Sequence, residues 1–232
     1  MHGPSPLAGP ALHDGLWRWR DRISKVEVRF TGSGPRLDAT AALRHLEGEE
    51  PSGPRVAWLR QIHSARVLEA AAGACGEADA LVTRRPGLAL AVATADCVPV
   101  LLGAPDAVAA AHAGWRGIAA GVVPAAVERL DGDPRRLTAW IGPAIGACCY
   151  EVGPEVAADV AAASRAEVAA PGPSGRPHLD LAAAVREQLR STGVVDVRTV
   201  AGCTHCDADR LWSYRRDGPG TGRNWAFVWI RG

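Results

Sequence analysis

The sequence predicts a single α+β domain. Three observations carry that expectation: strand-like runs crowd into the first half of the chain, three of them are apolar nearly throughout, and the order mixes hairpin-like strand clusters with helices. The 232 residues suffice for a large core, and 47% apolar with 22% charged residues is a globular composition.

Residues 1–22, rich in Gly and Pro, read as an irregular leader, and 23–232 as a single domain. Residues 25–30 alternate apolar and polar side chains, the pattern of a half-buried strand. Residues 40–46 form a short helix candidate, followed by a polar turn over 47–54. Strands are expected at 56–61, 66–69, 88–94, 98–102 and 108–111, the last three buried on both faces. Residues 118–130 read as helix, with Pro124 either kinking it or sitting in the first turn of a shorter one. Further on come a buried strand at 137–141, a helix at 154–163 and an amphipathic helix at 179–190. Strands at 194–201 and 225–230 complete the chain. The loop at 171–177 is too short to divide domains, and no internal repeat is present.

A net charge of +1 leaves no electrostatic footprint for nucleic acid or an anionic membrane. No apolar run is long enough to cross a bilayer; the best, from Leu88, is cut by Asp96. The first twenty residues lack a basic start followed by an apolar block, so no secretory signal is expected. A cytoplasmic location and reduced thiols follow, and the six cysteines read as core residues or ligands rather than disulfides.

His63, Cys97 and His112 each follow or interrupt an apolar run, which places them near a sheet edge. One thiolate and two imidazoles form the ligand set of a catalytic zinc that keeps a fourth position open. Their spacing, 34 and then 15 residues, is unlike a local zinc knuckle. On spacing alone, a buried Cys with two hydrogen-bonded His residues is the favoured account.

The strings QIHSARV, ADALVT, TADCVPVLL, AAAHAGWRG, IGPAIGACCYEVG and CT…LWSYRRDGPGTGR occur in order over residues 61–223. In these the chain resembles the YfiH/YlmD family, once labelled multicopper polyphenol oxidases and regarded as zinc-dependent purine nucleoside phosphorylases. Some members are called peptidoglycan editing factors. The resemblance implies a two-sheet core with helices outside, and Zn²⁺ held by His63, Cys97 and His112. It also implies phosphorolysis of adenosine, inosine and S-methyl-5′-thioadenosine, with some adenosine deamination. The chain departs from the family's N-terminal pattern, where Arg29, Phe30, Thr31 and Gly32 are a partial remnant. Ser64 stands after the motif His, and Leu211-Trp212 replaces a common Phe pair.

The older label fails on counting. Seven His and no His-x-His pair cannot furnish a multicopper oxidase, although a His₂Cys site can take adventitious Cu²⁺. A cytidine-type deaminase is excluded too, because the Glu of its His-x-Glu signature is missing at Gly114. Cys203 and Cys206 have C-x-x-C spacing, but a closed zinc site needs two more ligands, which only Cys148 and Cys149 offer; ordinary thiols are the expectation. Cys75 reads as structural.

Phosphorolysis needs a held phosphate. Gly114 and Gly117 lie at a strand-to-helix turn with free amides, and Arg116 adds a guanidinium clamp. Arg215 and Arg223 provide two more, while residues 142–146 read as a tight loop bordering the pocket. Trp115, Trp140 and Trp212 are candidate purine contacts, Trp140 more plausibly core. Asp96 is placed either to orient a ligand imidazole and accept a proton, or to face away and cap a turn. Two rivals remain: a cysteine or metal hydrolase editing a peptidoglycan precursor, with Cys97 as nucleophile and His63 or His112 as base, and a non-catalytic regulatory relative.

Overall fold

The structure, a computed structural model, describes residues 9–13, 15–47 and 53–232. In chain order the strands are β1 (Ala11–His13), β2 (Leu16–Ile23), β3 (Val26–Thr31), β4 (Arg55–Arg60), β5 (Val67–Glu69), β6 (Gly73–Glu77), β7 (Ala80–Thr83), β8 (Leu88–Thr94), β9 (Val98–Gly103) and β10 (Val108–Ala113). They continue with β11 (Thr138–Ile141), β12 (Ala169–Pro171), β13 (Pro177–Leu179), β14 (Asp196–Thr199) and β15 (Asn224–Ile230). The helices are α1 (Ala39–Glu47), α2 (Trp115–Ala120), α3 (Val122–Glu128), α4 (Pro154–Ser164), α5 (Leu181–Ser191) and α6 (Tyr214–Asp217).

Two sheets make one domain. The first runs β1-β2-β3-β15-β8-β4-β6 and the second β14-β11-β9-β10-β7-β5, with a small β12-β13 hairpin beside them. Phe30, Leu90, Val92 and Val228 of the first sheet pack against Leu81, Leu101, Ala110 and Trp140 of the second. Because side chains alternate along a strand, Val100, Leu102, Ala109 and Ile141 face the other way. They are covered there by Ile118, Val123, Val160 and Leu189 of α2–α5. Helix α1 covers part of the first sheet's outer face, where Leu43 meets Phe227 and Trp229. The second sheet is therefore buried on both faces, as its apolar runs require. Among the described residues no helix is long and apolar enough to cross a membrane.

The helical stretch expected at 118–130 divides in two. Gly121 adopts the left-handed conformation (φ 85°), closing α2 and opening α3, and Pro124 then falls in the first turn of α3. The strand at 26–31 is buried along its whole length rather than on one face. Its polar positions are internally paired, with Arg29 donating to Glu27 at 2.7 Å and lying over the Trp229 ring.

The irregular leader needs correction. Residues 1–8 lie outside the described residues, but β1 and β2 form the edge of the first sheet, with Leu16 and Trp19 buried. Asp21 of β2 reaches the second sheet, accepting hydrogen bonds from Trp140 Nε1 at 2.7 Å and Arg198 at 2.8 Å. Replacing it leaves the fully buried Trp140 indole without an acceptor. Asp21→Ala is expected to cost about 1–3 kcal/mol, read as a lower midpoint in a denaturant melt.

Candidate functional site

His63 lies in the loop after β4, Cys97 in the turn between β8 and β9, and His112 near the end of β10. Their ligand atoms lie within 4.8 Å of one another. Cys97 Sγ stands 4.0 Å from His63 Nε2, and the two imidazoles meet edge to face at 4.9 Å between centroids. His112 is buried, Cys97 partly exposed and His63 exposed, so the trio opens on one side. Gly114 makes this convergence possible. A Cβ at that position would stand 2.9 Å from both Cys97 Sγ and His63 Cδ2, filling the space among the donors. A compact N₂S donor set around a clear space fits a metal ion with one coordination position left open.

Asp79 holds the arrangement together. Its buried carboxylate accepts hydrogen bonds from the backbone amides of Ile62, His63 and Ser64, from the Ser64 hydroxyl, and from His112 Nδ1 at 2.9 Å. Its main-chain carbonyl accepts from His112 N at 2.7 Å. With Nδ1 thus occupied, Nε2 is the nitrogen that His112 turns toward the site. Asp79 also fixes the left-handed backbone of His63 (φ 60°), while Gln61 exchanges two hydrogen bonds with the Ala93 backbone and pins the loop to β8.

The electrostatics follow. Burial would raise the Asp79 carboxyl, but the His112 imidazole and the Ser64 and His63 donors bring it down to about 2. Burial likewise opposes the Cys97 thiolate, yet hydrogen bonds and charge from His112 and His63 lower it to about 6. His112, against the same burial, is raised to about 9 by Asp79 and Cys97. Both histidines thus favour the thiolate form of Cys97, the form that ligates metals.

Asp96, with φ 98°, faces a different way from the imidazoles. It accepts from the Thr204 hydroxyl at 2.6 Å, the Ser213 hydroxyl at 2.7 Å and the Arg215 amide at 2.6 Å. The orienting position considered for Asp96 belongs to Asp79, which the sequence reading did not single out. Its signal was present in ADALVT, an acidic residue set directly against a buried apolar run.

The trio forms part of the wall of a cavity of about 620 Å³, within the roughly 300–1,000 Å³ of small-molecule sites. Arg116, Arg215 and Arg223 also line it. Arg116 lies over Trp115, Arg215 over Tyr150 with a bond to the Glu151 carbonyl, and Arg223 donates to nearby carbonyls. Among the described residues none of the three is paired with a carboxylate. Thr94 Oγ1, buried on the same wall, has no hydrogen-bond partner there.

The other expected contacts divide. Gly117 is buried within α2 and packs close to the Ser64 carbonyl, away from the cavity wall. Trp115 reaches the cavity, Trp140 is core, and Trp212 packs against Gly222 and Arg36. Tyr150 and Tyr214 supply the aromatic surface that the tryptophan reading missed.

These features define a two-sheet protein with an open His₂Cys centre at a ligand-sized cavity. The chain belongs to the family described as multi-copper polyphenol oxidoreductase laccase, which matches residues 39–231. It is 47% identical over 228 residues to the purine nucleoside phosphorylase SCO2081 of Streptomyces coelicolor, covering 92% of each chain. The purine nucleoside phosphorylase ORF3 of Streptomyces griseus is 45% identical over 253 residues, covering 99% of this chain and 98% of that one. The crystal structure of YlmD from Geobacillus stearothermophilus superposes with a TM-score of 0.84 at 27% identity, over 99% of this chain and 100% of that one. Despite the copper in the family description, only two histidines, His63 and His112, join a group of candidate ligands among the described residues.

Two substitutions test this geometry. Asp79→Asn turns an amide donor toward backbone amides that need an acceptor, and is expected to weaken metal binding about 10–100-fold. Gly114→Ala places a methyl among the donors and is expected to lower metal content after dialysis. Competition with a chromogenic chelator reads the first, and elemental analysis the second.

Proposed function

We propose that this chain is a cytoplasmic, zinc-dependent purine nucleoside phosphorylase acting on adenosine, inosine and S-methyl-5′-thioadenosine, with adenosine deaminase side activity. The observation that carries this reading is the juxtaposition of the His63–Cys97–His112 trio with three guanidinium groups free of carboxylates on one cavity wall. Zinc would be held by His63 Nε2, Cys97 Sγ and His112 Nε2, and supplies a Lewis acid with an open position.

The chain's own residues perform the rest. Arg116, Arg215 and Arg223 bind phosphate, with Asp96 holding the backbone of Arg215 in place. Trp115, Tyr150 and Tyr214 offer faces against which a purine can stack. In phosphorolysis a phosphate oxygen bonds to C1′ as the C1′–N9 bond breaks, and the base departs with the electron pair and takes up a proton. Arginine charge near the sugar brings the anionic nucleophile to C1′. Relatives named purine nucleoside phosphorylases along nearly the full chain support the assignment.

A second reading has two observations in its favour. The Cys97–His63 contact and the lowered thiol also suit a cysteine hydrolase acting on a wall precursor. Metal dependence separates the two, since a nucleophilic cysteine works in the presence of chelator.

Chromatography of adenosine incubated with zinc-loaded protein, with and without phosphate, tests the proposal. Adenine is expected only with phosphate, and Cys97→Ala is expected to lose at least 100-fold in rate. Inosine without adenine would make deamination the main chemistry. Turnover surviving chelation would overturn the zinc assignment.

A further inference from the structure

Four cysteines lie outside the site just described. Cys148 and Cys149 occupy the turn that follows β11 and the 142–146 loop, and Cys203 and Cys206 the turn before α6. The sequence reading expects ordinary thiols here. The structure instead brings all four sulfurs within 4.8 Å of one another, with Cys149–Cys206 at 3.3 Å and Cys148–Cys206 at 3.6 Å. A zinc ion bound tetrahedrally by sulfur at about 2.3 Å sets its ligands about 3.8 Å apart. The four thiols already cluster at nearly that spacing.

The surroundings fit a closed site. The Gly146 amide donates to Cys203 Sγ at 3.2 Å, the bond a thiolate ligand accepts. Gly146 also leaves room for the cluster, because a Cβ there would stand 3.2 Å from Cys148 Sγ and 3.5 Å from Cys203 Sγ. The two turns are joined by backbone, with Thr204 N donating to the Ala144 carbonyl at 3.0 Å. Arg216 donates to the Thr204 and His205 carbonyls and so fixes the backbone of the Cys203–Cys206 turn. Four protein sulfurs fill a tetrahedral shell and leave no position for substrate, which is a structural site.

We propose that Cys148, Cys149, Cys203 and Cys206 form a second metal centre that takes one Zn²⁺ as a tetrathiolate. It clamps the loop carrying Tyr150 to the segment carrying Thr204, Ser213 and Arg215, which Asp96 binds from the other side. The cavity wall is thereby braced from outside. The inference stands independently of the substrate.

The test is zinc content after loading and gel filtration under reducing conditions, with intact mass measured in parallel. Full-length protein is expected to hold two zinc ions per chain. Cys97→Ala is expected to hold one, as is the double variant Cys148→Ser/Cys206→Ser. Cobalt substituted into Cys97→Ala should give strong thiolate-to-metal charge transfer, a signal that the open centre lacking its only sulfur cannot produce. Should the double variant fail to fold, Cys97→Ala decides alone. A folded Cys97→Ala protein with no zinc and no cobalt–thiolate band would overturn the proposal. So would the loss of a hydrogen pair from the intact mass under reducing conditions, which would mark the cluster as a disulfide.

Discussion

The Asp79 carboxylate is the constraint on which the centre depends. A buried charge is tolerated only when its acceptor positions are filled, and here three consecutive amides, a hydroxyl and an imidazole fill them. Those donors come from the loop after β4 in the first sheet and from β10 in the second. One side chain therefore sets the position of His63 relative to His112 across the junction of the two sheets. Gln61 and the β10 ladder hold the two backbones, and Gly114 leaves the space into which the side chains converge.

Much of the fold was legible because the central strands are buried on both faces. Leu88–Thr94, Val98–Gly103 and Val108–Ala113 read as apolar runs and sit where expected. β2 was not, because LWRWRDRI interleaves arginines with its large side chains and follows a Gly- and Pro-rich stretch. Its strand is secured by tertiary partners, above all Trp140 and Arg198 on Asp21, and local pattern carries no trace of those. The same limit applied at the site. His63, Cys97 and His112 stood out as ligand types, whereas Asp79 reads in sequence as one more polar residue before a strand. Its importance lies in contacts made to residues 15 to 33 positions away.

Backbone strain is present where the chemistry is proposed. Two of the non-glycine residues at positive φ, His63 and Asp96, flank Cys97 in space or sequence. Such conformations cost about 1–3 kcal/mol each and persist only when their surroundings over-determine them. Asp79 does so for His63. Asp96 secures itself through its own carboxylate, which bonds Thr204, Ser213 and Arg215 and so turns Cys97 toward the histidines while holding the arginine segment at the cavity.

The two cysteine groups show why donor chemistry says more about a metal than a family description does. An N₂S trio with one exposed flank leaves room for a reacting ligand, whereas four clustered sulfurs leave none. Neither resembles the imidazole-rich set that several copper ions require, and the chain has too few histidines to build one. The shared element is the segment from Cys203 to Arg215. Its sulfurs face one cluster, while Thr204, Ser213 and Arg215 face Asp96 beside the other. With the proposed clamp on one side and Asp96 on the other, the Arg215 guanidinium would be oriented before any anion arrives, which is the condition under which fixed charge favours a transition state over solvent.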